Sequence, residues 1–156
     1  DLASHKAENA NKAHGGFKGA MVQKSENQFI SNVTNTPVTW QTVIYDTSGI
    51  YSPSNPTRLT VPAGVTKVRI ATQIVFEQNT VGQRDVLIGK NGSLSYDGRA
   101  TTNSLPVATT LTINLTSPVL EVTQGDYFEI LVHQNSGGSL SVATWWTTWA
   151  ALEIIE

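Results

Sequence analysis

The feature that most constrains this chain is its punctuation. From about residue 27 onward, β-branched and aromatic residues gather in short runs, and each run stops at Gly, Pro, Asn or Asp. The clearest run is Val65 to Phe76, where Val68, Ile70, Thr72, Ile74 and Phe76 fall on one face at the two-residue period of a strand. Further strands are predicted over Val38 to Tyr45, Arg58 to Val61, Asp85 to Gly89, Ser93 to Tyr96, Thr109 to Leu115, Val119 to Val122 and Tyr127 to Val132. Leu140 to Ile155 reads as one long closing strand or two short ones. Asn91-Gly92 is a strong short hairpin signal, because both central residues of a type I′ turn need positive φ. Thr123-Gln124-Gly125-Asp126 reads as a turn and Gly137-Gly138 as another hairpin tip. Strands recurring at roughly 8–12 residues without intervening helices predict an all-β sandwich or barrel. The absence of an internal repeat argues against a propeller or β-helix.

The first twenty residues differ. Ala3, Ala7, Ala10 and His14 recur at three- and four-residue steps, so a short helix over roughly residues 2–13 or a frayed linker is expected, ended by Gly15-Gly16. The expected organisation is a linker or stalk end over 1–20 and one head domain over 21–156.

Composition narrows the function. Of 156 residues, 39% are hydrophobic and 14% charged, which suits one domain with a real core. Ten Lys and Arg nearly balance twelve Asp and Glu, with no basic cluster among aromatics, which argues against nucleic-acid binding. No apolar run is long enough to span a bilayer, and no signal peptide stands at Asp1, which suggests a processed product or fragment. No cysteine is present, which suits a reducing cytoplasm or stabilisation by oligomerisation. The triplets beginning at Asn32, Asn91 and Asn114 matter as glycosylation acceptors only in a secretory eukaryotic source.

The order of the strand signals resembles the globular head of the complement C1q family, a branch of the tumour-necrosis-factor-like jelly rolls. Phe29-Ile30 looks like the aromatic first strand, and Pro37-Val38-Thr39-Trp40 like the Pro-Val-aromatic segment. Tyr45-Asp46 to Tyr51 sits at the Asn- and Tyr-bearing turn, and Leu59 to Ile70 is similar to the Pro-x-x-Gly strand entry. Leu87-Ile88-Gly89-Lys90-Asn91-Gly92 matches the Leu-x-x-Asn-Gly hairpin, and Leu120 to Phe128 the Leu-x-x-x-x-Gly-Asp signature. Trp149-Ala150-Ala151-Leu152 stands at the family's aromatic closing strand. The likeness covers roughly residues 27–156, but Val68 and Ile70 stand where aromatics are common, and no collagen repeat precedes the head. The resemblance implies a jelly-roll homotrimer, with N-termini toward a shaft and far loops toward a target.

Residues 7–16, reading Ala-Glu-Asn-Ala-Asn-Lys-Ala-His-Gly-Gly, look like bacteriophage tail-fibre linkers. With the absent cysteines, this leads to the expectation of a receptor-binding head on a phage tail fibre. It would be carried on the virion, act extracellularly, and attach to a bacterial surface glycan or protein. Rival readings are a purely structural trimerisation domain, a monomeric carbohydrate-binding module, a cytokine-like ligand and a depolymerase.

In Thr144 to Trp149, Trp145 and Trp149 share one strand face with Ala143 and Ala151, while Trp146 shares the other with Val142, Leu152 and Ile154. Two apolar faces imply a core on one side and a subunit interface or a sugar-stacking platform on the other. Phe29, Trp40, Phe128, Trp145, Trp146, Trp149 and Leu152 are the expected core and interface set. Tyr51, Arg84, Asp85, Tyr96, Asp97 and Arg99 are the expected ligand-binding set, a hairpin bringing Asp85 near Arg99; an ordinary surface ion pair is the plainer alternative.

No two of His5, His14 and His133 have zinc-ligand spacing, though a threefold axis can triplicate one residue. No cofactor is expected; the resemblance implies at most a structural calcium, with Asp85, Asp97 and Asp126 as candidates, Asp126 also being suited to hold its own turn. No Cys nucleophile, Gly-x-Ser-x-Gly elbow or phosphate-binding Gly loop is present, and carboxylates are scattered singly, so an enzyme is not expected.

Overall fold

The computed structural model describes residues 16–94, 110–144 and 147–156, with the backbone alone of 99–102. The predicted helix and the residues Tyr96, Asp97, Trp145 and Trp146 lie outside these.

The described residues form an all-β sandwich of two antiparallel sheets. Its spine is the alternating run predicted above, here Lys67–Phe76 (β6), with Val68, Ile70, Thr72, Ile74 and Phe76 all buried. In chain order before it come Gly19–Gln23 (β1), Gln28–Ile30 (β2), Thr36–Pro37 (β3), Thr42–Asp46 (β4) and Arg58–Thr60 (β5). After it come Arg84–Lys90 (β7), Arg99–Thr102 (β8), Leu111–Thr116 (β9), Leu120–Glu121 (β10), Tyr127–Gln134 (β11), Leu140–Val142 (β12) and Trp149–Ile154 (β13).

In the larger sheet β6 carries β12 and β13 along one edge and β9 and β10 along the other, with β2 paired to β12 and with β1, then β4, beyond β13. The smaller runs β3-β11-β7-β8, with β5 paired to β11. Trp40, Phe76, Phe128, Ile88, Ile130 and Leu152 are among the fully buried side chains between them. Trp40, Phe128 and Leu152 thus belong to the core, as expected.

Four expectations need correction. Val38 to Tyr45 is not one strand: β3 pairs with β11 in one sheet, β4 pairs with β1 in the other, and residues 38–41 carry the chain across. Gly137-Gly138 does not tip a hairpin, because β11 and β12 lie in different sheets. Of the core and interface alternatives for Phe29, the core one falls: the residue is 73% exposed, since on the edge strand β2 the inward position is taken by its neighbour Ile30. Strand β1 had no counterpart among the predicted runs. It begins at Gly19, just ahead of the expected start of the head, and lies between β13 and β4. Gly19 is required there, because a side chain would run into the Leu152 carbonyl.

Strand direction sorts the loops between two ends. The chain enters at Gly16 to Lys18, and that entry end also holds the 62–66 turn, the Asn91-Gly92 turn, the 123–126 turn and the C-terminus. Loops 31–35, 77–83 and 135–139 lie at the opposite, far end.

Asn91 (φ 54°) and Gly92 (φ 75°) both adopt the positive φ expected of a type I′ turn. Asp126 ties this turn to its own: it accepts from Asn91 Nδ2 at 2.8 Å, from the Thr123 amide at 2.9 Å, and pairs with Lys90 Nζ at 2.9 Å. The Asn91 hydrogen bond, assisted by Thr123 and Lys90 against partial burial, lowers the Asp126 carboxyl to about 2. A depressed carboxyl stabilises the fold fully above its unfolded value of 3.8 and loses that contribution as pH falls toward 2. Acid unfolding followed by tryptophan fluorescence should therefore show stability falling between about pH 4 and pH 2. In Asp126→Ala that part of the slope should flatten, with about 1–3 kcal/mol lost at neutral pH.

Candidate functional site

The structure does not gather the predicted ligand-binding set. Arg84 and Asp85 open β7 at the far end, whereas Tyr51 follows β4 beyond its entry-end terminus. Tyr51 is committed to the scaffold: its hydroxyl donates to the Trp40 carbonyl at 2.5 Å, and its amide donates to Asp46 Oδ2 at 2.9 Å. Arg84 is also structural, only 3% exposed, with its guanidinium donating to the carbonyls of Val81 (2.6 Å), Gly82 (2.8 Å) and Asn79 (3.1 Å). It organises the 77–83 loop from within. Asp85 pairs in register with Thr101, while Arg99 stands opposite Leu87. The carboxylate of Asp85 accepts from Gln83 Nε2 at 3.0 Å and lies 3.3 Å from His133 Nδ1. Sequence reasoning weighed His133 only as a residue a threefold axis could triplicate and missed its pairing with Asp85, which lies across a strand pair. Asp85 and Asp126 stand at opposite ends, so they do not fit one calcium site. Among the described residues no group of three His or carboxylate side chains could hold a metal.

The surface that does assemble is the outer face of the larger sheet. Strand alternation sends Ala150 and Leu152 into the core and Trp149 and Ala151 outward, as the sequence pattern required. Register then lines up Tyr45, Met21, Ala151 and Ala71 across four strands, with Trp149 one row above and Arg69 and Glu153 one row below. These side chains and Phe17 line a shallow groove of about 300 Å³. Two small alanines form its floor, so the aromatics stand up as walls. Phe17 packs edge-on against Tyr45, with ring centroids 5.3 Å apart and planes at 85°. Arg69 and Glu153 approach to 3.7 Å at the rim. Burial first and the Glu153 carboxylate second raise the Tyr45 hydroxyl above its ordinary 10, which keeps it neutral.

On a sheet with one solvated face, outward positions are normally polar. Here the centre is apolar, Phe17 is 56% exposed, and edge strand β4 adds exposed Val43 and Ile44. Of the lining residues, sequence reasoning found Trp149 alone as a site residue. Phe17 and Met21 escaped because Gly19-Ala20 has weak strand propensity. Ala71 was legible, since it lies outward in a strand whose inward set was read correctly.

No protein-family model matches the chain, and no curated protein matches it in sequence. The solved structures it is similar to include murine APRIL determined at pH 5.0, 8.5 and 8.0. Identities are 17%, 15% and 13% and TM-scores 0.59, 0.59 and 0.61, each match covering 90% of this chain and 100% of that one. These are TNF-family jelly-roll domains, and the sandwich matches the TNF-like jelly roll.

If Arg84 is scaffold rather than ligand contact, Arg84→Ala should lower the urea-unfolding free energy by about 2–4 kcal/mol, because three carbonyls lose a charged donor. An unchanged midpoint would contradict this role.

Proposed function

We propose that this chain is a homotrimeric recognition head, joined through the outer face of the larger sheet and binding its target through its loops. The observation that carries the reading is the groove of Phe17, Met21, Tyr45, Ala71, Trp149 and Ala151, an apolar centre where a solvated sheet would be polar. A second copy is the occupant that supplies the same apolar chemistry, and closed threefold symmetry would cover every such face at once. Small floor residues allow close approach, and standing aromatics supply large contact area at low entropic cost.

The finer reading is the tip of a phage tail fibre, exposed on the virion and attaching to a bacterial surface glycan or protein. It is supported by the linker-like residues 7–16 and the absence of cysteine. It is also supported by chain direction: entry and exit share one end of the sandwich, so a preceding shaft would leave the far-end loops free. Weak contacts repeated three times per head would sum to firm attachment. Binding without catalysis is the reading we favour, since Asp85 and Asp126, two carboxylates singled out in the sequence, serve a strand pair and a turn.

Light scattering on a sizing column should return about three times the 16.8 kDa chain mass. Ala151→Arg should yield a monomer of unchanged far-ultraviolet circular dichroism, since it places charge in the groove and leaves the core intact. A monomeric parent chain would end the trimer proposal and leave the groove as a ligand site. Isolated trimeric head should compete with phage for adsorption to host cells. A stable trimer without competition would reduce the domain to a structural clamp.

A further inference from the structure

The two ends of the sandwich differ in charge. The entry end carries the ion pairs Lys67–Glu156 and Lys90–Asp126. At the far end, loop 31–35 reads Ser-Asn-Val-Thr-Asn, 78–83 reads Gln-Asn-Thr-Val-Gly-Gln, and 135–139 reads Asn-Ser-Gly-Gly-Ser, with no ionisable side chain in any of them. Of the charges nearby, Arg84 is buried among carbonyls, Lys24 is buried against Gln28 and the Thr39 carbonyl, and Asp85 lies 3.3 Å from His133 Nδ1, while the exposed carboxylates are Glu26 and Glu77, the latter opening the 77–83 loop and accepting from Asn27.

These loops are fastened to one another. The Val33 amide donates to the Gln134 carbonyl at 2.8 Å, and the Asn135 amide to the Gln83 carbonyl at 3.2 Å. Gln134, fully buried, donates to the carbonyls of Ile30 (3.0 Å) and Gly138 (2.7 Å) and accepts from the Ser136 amide at 2.7 Å. Gly82, at φ 78°, allows the second and third loops to touch, since a side chain there would strike the Asn135 backbone. Val33 holds φ 55°, which is strained for a β-branched residue, and its side chain is 65% exposed.

Within this frame three asparagines share one arrangement. Asn32 Oδ1 accepts from the Gly137 amide at 2.9 Å, Asn79 Oδ1 accepts from the Val81 amide at 2.8 Å, and Asn135 Oδ1 accepts from the Gln83 amide. Each oxygen is committed to a backbone N–H, which fixes the orientation of the carboxamide. Among the described residues no hydrogen bond engages the three Nδ2 groups, so each is an oriented donor, on exposed side chains for Asn32 and Asn135 and a half-buried one for Asn79. Strand β2, leading into the first loop, presents the 73% exposed ring of Phe29.

We propose that the far-end loops 31–35, 77–83 and 135–139, with Phe29 beside them, form a binding site for an uncharged oligosaccharide. Oriented amide donors match hydroxyl and acetamido oxygens, a flat exposed ring matches the apolar C–H face of a sugar, and among the described residues of these loops there is no Lys or Arg to pair with an acidic ligand. Loops fastened before binding lose little entropy on contact. This rests on the recognition-head reading and names the ligand class of that head.

The test uses the full chain on an array of neutral and charged bacterial oligosaccharides, followed by ¹⁵N NMR titration with the neutral oligosaccharide that binds best. That sugar should shift the side-chain amide signals of Asn32, Asn79 and Asn135. Asn32→Asp, Asn79→Asp and Asn135→Asp keep an oxygen for the backbone N–H but lose the donor. Each should weaken binding about tenfold without changing the mass on a sizing column or the thermal midpoint. Phe29→Ala should weaken it similarly. Preference for charged sugars, no neutral sugar bound, shifts mapping to the entry end or the Trp149 groove, or undiminished affinity in the Asp variants would overturn the site. Cell attachment that survives the triple Asp variant would remove this site yet leave the recognition head standing; failure of the unaltered head to attach would remove the head reading itself.

Discussion

Strand β6 needs hydrogen-bonding partners on both edges, and meeting that need organises the larger sheet. Its ten residues pair with β13 and β12 along one edge and with β9 and β10 along the other. A buried strand with an unpaired edge would leave amides and carbonyls without water or protein, at a cost comparable to a lost hydrogen bond for each. Partners from distant parts of the chain are therefore drawn to one spine. Their inward residues close over Phe128 and Ile130 from the opposite sheet and over Trp40 from the crossing segment 38–41. This dominance of long-range pairing is why the loops fall into two groups: chain direction at β6 decides which turns meet at which end.

The same alternation that fills the core creates the groove. Every inward residue on β6 and β13 has an outward neighbour, and at the centre of the sheet those neighbours are Ala71, Ala151 and Trp149. Small floor and aromatic walls are a composition that water solvates poorly. The far end solves the opposite problem. Its loops are polar with Glu77 as their one ionisable side chain, and their backbone groups are satisfied by buried Arg84 and Gln134 and by asparagine oxygens. One surface is shaped for apolar contact and the other for directional hydrogen bonding, and the β-sandwich holds them apart on one rigid body.

Much of the fold was legible because its signals are local. The β6 alternation, the Asn91-Gly92 turn, the Thr123 to Asp126 turn held by Asp126, and the opposed faces around Trp149 all follow from residues a few positions apart. Errors arose where the outcome depended on a partner strand. Phe29 reads as core or interface by composition, and edge position on β2 decides against the core. Val38 to Tyr45 reads as one strand, yet the two sheets each claim one part of it. Arg84, Asp85 and Tyr51 read as one polar set, yet strand length separates them and their hydrogen bonds bind them to scaffold.

Sequence by itself determined the class of structure and the inward face of its longest strand, because period-two alternation and positive-φ turns are properties of the chain over a few bonds. It also determined that the runs 31–35, 78–83 and 135–139 hold no ionisable side chain. Tertiary structure alone decided that β1 lies between β13 and β4, that Phe17 and Tyr45 join Trp149 around two alanines, and that Asn32, Asn79 and Asn135 come to serve one end. The physical reason is that register between strands distant in sequence is set by which faces can be buried together, and that is a property of the assembled sheets rather than of any one run.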